Sequence, residues 1–244
     1  MRMSQRVQSV GAVALVAATF CALGVVARQS LPFGQAKAVR TVGDFHELFY
    51  NTGKTTWGDS RWFGVPIEKC PMDLMSYQEI LFDTRPDVLV EAGTFMGGSA
   101  LYFASIMDLL RKGRVITIDI VNRGRPPHPR ITYLQGSSTA PEIIAAVKGL
   151  ISPGETVMAV LDSDHSYAHV LKELQAYGPL VTEGAYLVVE DTNINGHPVR
   201  PDYGPGPSEA VDAFCESDSQ FVRDRTREKY LLTFNPGGFL RKIR

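Results

Sequence analysis

Six acids and one histidine fall where they could do chemistry together. Glu91 and Asp119 each end an apolar run, Val88-Leu89-Val90 and Val115-Ile116-Thr117-Ile118. Asp162, Asp164 and His165 follow Val160-Leu161, and Glu190 and Asp191 follow Val188-Val189. Carboxylates that close neighbouring strands on one rim repel each other unless they are protonated or bridged by a cation. Oxygen ligands of this kind suit a hard ion such as Mg²⁺, which keeps waters and accepts further hydroxyl ligands. His165, beside the acids, is the best placed base near neutral pH. His197 lies in a Gly- and Pro-rich stretch after Asp191 that runs to about Pro207 and reads as a lid, which makes it a second catalytic candidate. His46 and His128 read as solvent-facing, and His169 lies on a predicted helix face.

The first acid opens onto glycines. Glu91-Ala92-Gly93-Thr94-Phe95-Met96-Gly97-Gly98-Ser99 is a strand end that turns into a helix. Glycines there allow a ligand to approach the backbone, and the helix offers free N–H groups. The GxGxxG spacing of a dinucleotide fold is missing. Asp119 comes 28 residues after Glu91, near the βαβ spacing at which a carboxylate meets ribose hydroxyls. The third strand runs into Gln135-Gly136-Ser137-Ser138, a polar turn suited to an adenine edge. Three polar strand ends on one rim make a nucleotide-like cofactor site.

The elements that must position these groups alternate. Strands are predicted at 88–92, 115–119, 131–134, 157–162 and 185–190. Helices are predicted at about 73–84, with Asp73 as its cap, and at 98–111, 141–149 and 167–177. Alternation of this kind gives a parallel sheet with right-handed crossovers. Phe221-Val222-Arg223 and Tyr230-Leu231-Leu232-Thr233-Phe234 read as a closing antiparallel pair. Residues 29–40 read as a linker and 41–66 as an irregular aromatic arm.

The 244 residues suffice for one sizeable α/β domain. A net charge of −1 without a long basic run excludes bulk attraction to nucleic acid. Cys21, Cys70 and Cys215 show no zinc or disulfide spacing and read as free thiols. The 21 uncharged residues 7–27 would form a helix about 32 Å long, enough to cross a bilayer. Two readings compete, an uncleaved anchor and a cleaved signal peptide that would export the chain. Arg28, Lys37 and Arg40 after the run, against Arg2 and Arg6 before it, favour an anchor with a cytoplasmic catalytic domain.

Lys69-Cys70-Pro71-Met72-Asp73-Leu74, Gly97-Gly98-Ser99-Ala100 after Glu91-Ala92-Gly93-Thr94, Leu161-Asp162-Ser163-Asp164-His165-Ser166, Val189-Glu190-Asp191-Thr192-Asn193 and Phe234-Asn235-Pro236-Gly237-Gly238 carry a resemblance. Over roughly residues 45–240 the chain resembles the cephalosporin hydroxylase / rhamnosyl O-methyltransferase family. The resemblance implies a class I methyltransferase fold, a doubly wound, mostly parallel seven-stranded α/β sheet with an antiparallel C-terminal hairpin. It also implies O-methylation dependent on S-adenosylmethionine and Mg²⁺. Glu91, Gly93, Thr94, Gly97 and Ser99 would then line the methionine part of the cofactor, Asp119 would hold the ribose, and Ser137 or Ser138 would lie near adenine. Glu190 and Asp191 match the family's paired acids, and the third metal ligand is Asp162 or Asp164. Asp162, at the strand end, belongs to both the cofactor and the metal set. Catechol-type relatives often carry a lysine base three residues after that acid, where this chain has His165. No His-x-Asp/Glu…His facial triad supports hydroxylation.

The acceptor expected from this resemblance is a hydroxyl of a sugar, glycolipid or glycosylated natural product. The alternatives are an antibiotic or polyketide scaffold as acceptor, or a membrane-tethered subunit that binds S-adenosylmethionine without catalysis. A homo-oligomer is left open.

Overall fold

The structure is a computed structural model and describes residues 33–244. The apolar run 7–27 and the start of the expected linker lie outside the described residues. Among the described residues no helix is long and apolar enough to cross a membrane.

In chain order, helix α1 (Phe33–Asn51) leads through two 3₁₀ turns to a short hairpin, β1 (Arg61–Trp62) and β2 (Val65–Pro66). Helix α2 (Pro71–Thr84) precedes β3 (Val88–Ala92), α3 (Gly98–Leu110), β4 (Arg114–Asp119) and β5 (Ile131–Gln135). Then come α4 (Pro141–Gly149), β6 (Val157–Leu161), α5 (Tyr167–Tyr177), β7 (Tyr186–Val189), α6 (Pro207–Ser217), β8 (Phe221–Arg223) and β9 (Phe239–Lys242). Helices α2, α4 and α6 all open on proline, whose fixed φ suits the first helical position and whose missing N–H costs nothing there. Helix α2 stops where Arg85 turns left-handed just before Pro86.

Seven strands form one sheet in the order β5-β4-β3-β6-β7-β9-β8. The first five pair in parallel, while β9 runs antiparallel to both β7 and β8. Strand order reverses at β3, which lies between β4 and β6, and that is where an open α/β sheet forms its ligand crevice. Helices cover both faces, so β3, β6 and β7 are buried at every position. Val88, Val90 and Ala92 pack with Leu174, Tyr177 and Phe214 from α5 and α6. The alternate residue Leu89 packs with Tyr77, Ile80 and Phe103 from α2 and α3.

Three expectations are corrected. The linker and irregular arm contain a regular helix, α1, over 33–51. Its inward side runs through Val42, His46, Phe49 and Tyr50, a helical spacing blurred in the sequence by a histidine and by exposed Phe45 and Leu48. Asp73 does not cap α2, which starts two residues earlier; its buried carboxylate instead accepts the Phe234 amide at 2.8 Å. Residues 230–234 form no strand. Leu232 and Phe234 pack on Cys70, Phe49, Tyr50 and Trp57, and β8 pairs with β9 instead. Helix α6 was not foreseen.

Gly93 follows β3 at φ 98°, and a Cβ placed there would stand 1.8 Å from the Asp162 carbonyl oxygen. The strand ends can meet this closely only because that atom is absent. Gly93→Ala should cost about 1–3 kcal/mol or more of stability, read as a lower denaturation midpoint. An unchanged midpoint would contradict this close approach.

Candidate active site

Asp162 and Asp191 leave adjacent strands at the same edge, since β6 and β7 pair with Leu161 opposite Val189. The turn after β6 brings in His165. One ligand atom from each of Asp162, His165 and Asp191 lies within 4.8 Å of the others, and His165 Nε2 is 3.2 Å from Asp191 Oδ2. Burial raises the pKa of all three carboxyls here, Asp162, Glu190 and Asp191. Burial opposes the charge on His165, but Asp191, Asp162 and Glu190 raise its pKa overall.

Lys69 compensates this cluster. Its buried ammonium donates to Asp162 Oδ2 at 2.6 Å and to Glu190 Oε2 at 2.7 Å. Burial alone would lower its pKa, but Asp162, Glu190 and Glu91 reverse that, so Lys69 stays charged. Tyr77 donates to the other Glu190 oxygen at 2.7 Å. Glu190 is thus turned toward Lys69 and Tyr77, with Asp162 sharing the lysine. Asp164 is not gathered in; its carboxylate accepts the Ser166 amide at 2.8 Å and serves the start of α5.

His197 does not join the cluster. Its Nε2 lies 2.9 Å from Glu209 Oε1 on α6. Glu209 also accepts from Asn195 Nδ2 at 3.0 Å and from the Gly206 amide at 2.7 Å, so the expected lid is pinned at several points. His46 is buried rather than solvated. It stacks on Phe234 with ring centroids 5.7 Å apart and lies 2.9 Å from Asn193 Nδ2; burial lowers its pKa to about 4, so it is neutral at pH 7.

On the other side of Gly93 a cleft of about 200 Å³ is lined by Asp119, Ile120, Gly136, Ser137 and Ser138. The Asp119 carboxylate is fixed by the Phe95 amide at 2.7 Å, the Val121 amide at 2.8 Å and Arg125 at 3.1 Å. Behind the glycine turn, Thr94 and Thr117 hydroxyls lie 2.6 Å apart, and Thr117 donates to Glu91 Oε2 at 2.6 Å. Glu91 is fully buried, and its Oε1 has no partner. Burial raises its pKa to about 7. That orphaned acceptor, behind a turn in which Gly97 adopts φ 86° and leads into buried Ser99, suits an ammonium group.

Lys69 and Tyr77 are the site residues that the sequence reading passed over. Lys69 stood in a recognised motif, and three acids in need of a counter-charge were the available signal for it.

Residues 54–243 match the family model described as rhamnosyl O-methyltransferase/CmcI. The chain belongs to that family. It is 40% identical over 205 residues to a rhamnosyl O-methyltransferase of Mycobacterium leprae (strain TN), covering 81% of this chain and 88% of the relative. It is also 40% identical over 206 residues to the rhamnosyl O-methyltransferase of Mycobacterium tuberculosis (strain ATCC 25618 / H37Rv), covering 81% of this chain and 83% of that one. A solved apo structure of CmcI-N160 superposes with TM-score 0.60 at 23% identity, covering 77% of each chain. The structure described as cmcI-D160 Mg-SAM superposes with TM-score 0.59 at 22% identity, covering 77% of this chain and 78% of that one. These likenesses establish the fold.

Two outcomes follow for this member of the family. Lys69→Met leaves buried carboxylates unpaired and should cost about 3–5 kcal/mol. Without the ammonium, their folded pKa values rise further above the unfolded ones, so stability is lost as pH rises. Urea melts should therefore show a larger deficit at pH 8 than at pH 5, and a deficit independent of pH would count against the pairing.

The second concerns Glu209. Burial opposes its charge, but the Gly206 amide, His197 and Asn195 hold its carboxyl down to about 2. Because its folded pKa is depressed, its contribution is present above the unfolded value and lost as pH falls through about 2. An NMR titration should place its midpoint there, and Glu209→Gln should speed amide exchange at Gly204 and Gly206 at pH 7. An ordinary midpoint would show that the loop is not pinned by this residue.

Proposed function

We propose that the chain methylates a hydroxyl of a sugar, on a glycolipid or a glycosylated natural product, using S-adenosylmethionine and Mg²⁺. The observation that carries this is the cluster of Asp162, His165 and Asp191 within 4.8 Å, one residue from the cleft that Asp119 lines. The sugar acceptor is supported by the rhamnosyl O-methyltransferases at 40% identity.

When bound, the cation would lower the pKa of a coordinated alcohol, and the sulfonium donor would supply the methyl carbon. A hard cation takes oxygen ligands, so Asp162 and Asp191 would hold it, with Glu190 adjacent. His165 is then left to accept the hydroxyl proton at its ring nitrogen. With Asp191 committed to a cation, the ring loses the partner that favours its protonated form. Lys69 keeps Asp162 and Glu190 in place, which fixes the hydroxyl relative to the glycine turn. Glu91 would hold the donor's ammonium and Asp119 its ribose, on the two sides of the sulfonium. Since oxygen, carbon and sulfur must be nearly collinear, this positioning supplies much of the rate. The apolar run 7–27 would anchor the enzyme on the cytoplasmic side of a membrane, beside a lipid-linked acceptor.

The test compares turnover and calorimetric binding. Asp191→Asn should lower Mg²⁺-dependent turnover at least about a hundredfold, while S-adenosylhomocysteine affinity stays within about threefold. Equal turnover in chelator and in Mg²⁺ would overturn the metal role.

A further inference from the structure

Glu173, on α5, is fully buried and belongs to none of the groups above. Both serine hydroxyls at the far end of the cleft point to one of its oxygens. Ser138 donates to Oε1, and Ser163 donates to the same atom at 2.6 Å. His169 Nε2 lies 3.0 Å from Ser138 Oγ, 3.2 Å from Ser163 Oγ and 3.4 Å from Glu173 Oε1. The Ser138 carbonyl is held by the Tyr177 hydroxyl at 2.6 Å, so this turn is fixed from two sides. Glu173 Oε2 has no partner.

A hydroxyl carries one donor and two acceptor lone pairs. With both protons directed inward to Glu173, the serine oxygens can only accept toward the cleft. Asp119 and Asp164, which line the same cleft, are acceptors as well, and His169, which also lines it, turns its Nε2 inward to the same serines and Glu173. A ligand edge seated against these oxygens has to donate. In a purine nucleoside whose ribose meets Asp119, the 6-amino group donates, whereas a 6-keto oxygen at the same position would face lone pairs, the nearest proton on that edge being displaced to N1.

We propose that Glu173 is a positioning residue that makes this cleft selective for a 6-aminopurine nucleoside, by holding the Ser138 and Ser163 hydroxyls as acceptors. The inference rests on the proposed use of S-adenosylmethionine and adds the means by which the base is chosen.

The test is calorimetric binding of S-adenosylhomocysteine and of its 6-keto analogue, S-inosylhomocysteine, to the full chain with Mg²⁺ present. The wild type should prefer the adenosyl ligand by about tenfold to a hundredfold. In Glu173→Gln the amide can donate to the serines and free their protons to turn toward the cleft, so the preference should fall below about threefold. Ser138→Ala and Ser163→Ala remove one acceptor each and should lower the preference even where Glu173→Gln fails to fold. The ratio of two ligands is insensitive to a general loosening of the site, which would weaken both. A wild type that binds both ligands equally, or folded variants that keep the full preference, would overturn the role of Glu173. A wild type that binds neither ligand would instead overturn the underlying cofactor reading.

Discussion

Buried carboxylates on adjacent strands repel one another at a shared sheet edge unless they are protonated or met by positive charge, and Lys69 supplies that charge from outside the sheet. Its ammonium reaches Asp162 on one strand end and Glu190 on the next. That demand fixes much of the surrounding structure. Lys69 stands two residues before α2, so the helix must begin over the acid cluster. Once there, α2 turns Tyr77 to Glu190, Ser76 to the Arg227 carbonyl and Asp73 to the Phe234 amide. One helix thus ties the acids to the C-terminal segment. Burial makes each bond matter more, because an unpaired charge there has no water to fall back on.

The position of β3 explains why two kinds of chemistry meet. On its β4 side the strand end gives onto the cleft with Asp119; on its β6 side it gives onto Asp162. Gly93 is the point between, pressed against the Asp162 carbonyl. A cofactor seated along the glycine turn and a cation held by Asp162 would therefore be separated by little more than one residue of backbone. The seven-stranded order serves this by making β3 the strand where the winding reverses.

The parts legible in the sequence were those set by local pattern. Strands β3, β6 and β7 are buried at every position, β4 at its four central ones, and all four read as mainly apolar runs closed by acids. What escaped reading depends on contacts between distant segments. Lys69 is 93 residues from Asp162 and 121 from Glu190, so its role has no local trace. Asp73 has the residue type of a helix cap, but it lies inside the first turn of α2 and its partner is the Phe234 amide. Strand β9 hides in a charged tail because Lys242 buries its stem and sends its ammonium to the Gly178 carbonyl at 3.2 Å. His197 had the right loop and the wrong neighbour, Glu209.

Helix α1 shows how far the site's support extends beyond the stretch that the family model matches. The family match begins at residue 54, after α1 has ended at Asn51. Yet His46 on α1 meets the Asn193 side chain, and the Asn193 amide donates to the Phe234 carbonyl at 3.1 Å. The Asn235 side chain accepts the Asp191 amide at 3.1 Å, and Asp191 itself adopts a left-handed φ of 54°. Phe49 and Tyr50 close the same cluster against Phe234. A non-glycine residue keeps such a backbone only when its surroundings enforce it. The segment that enforces it on Asp191 is packed in turn against α1, so residues before the matched region help aim one of the acids that define the site.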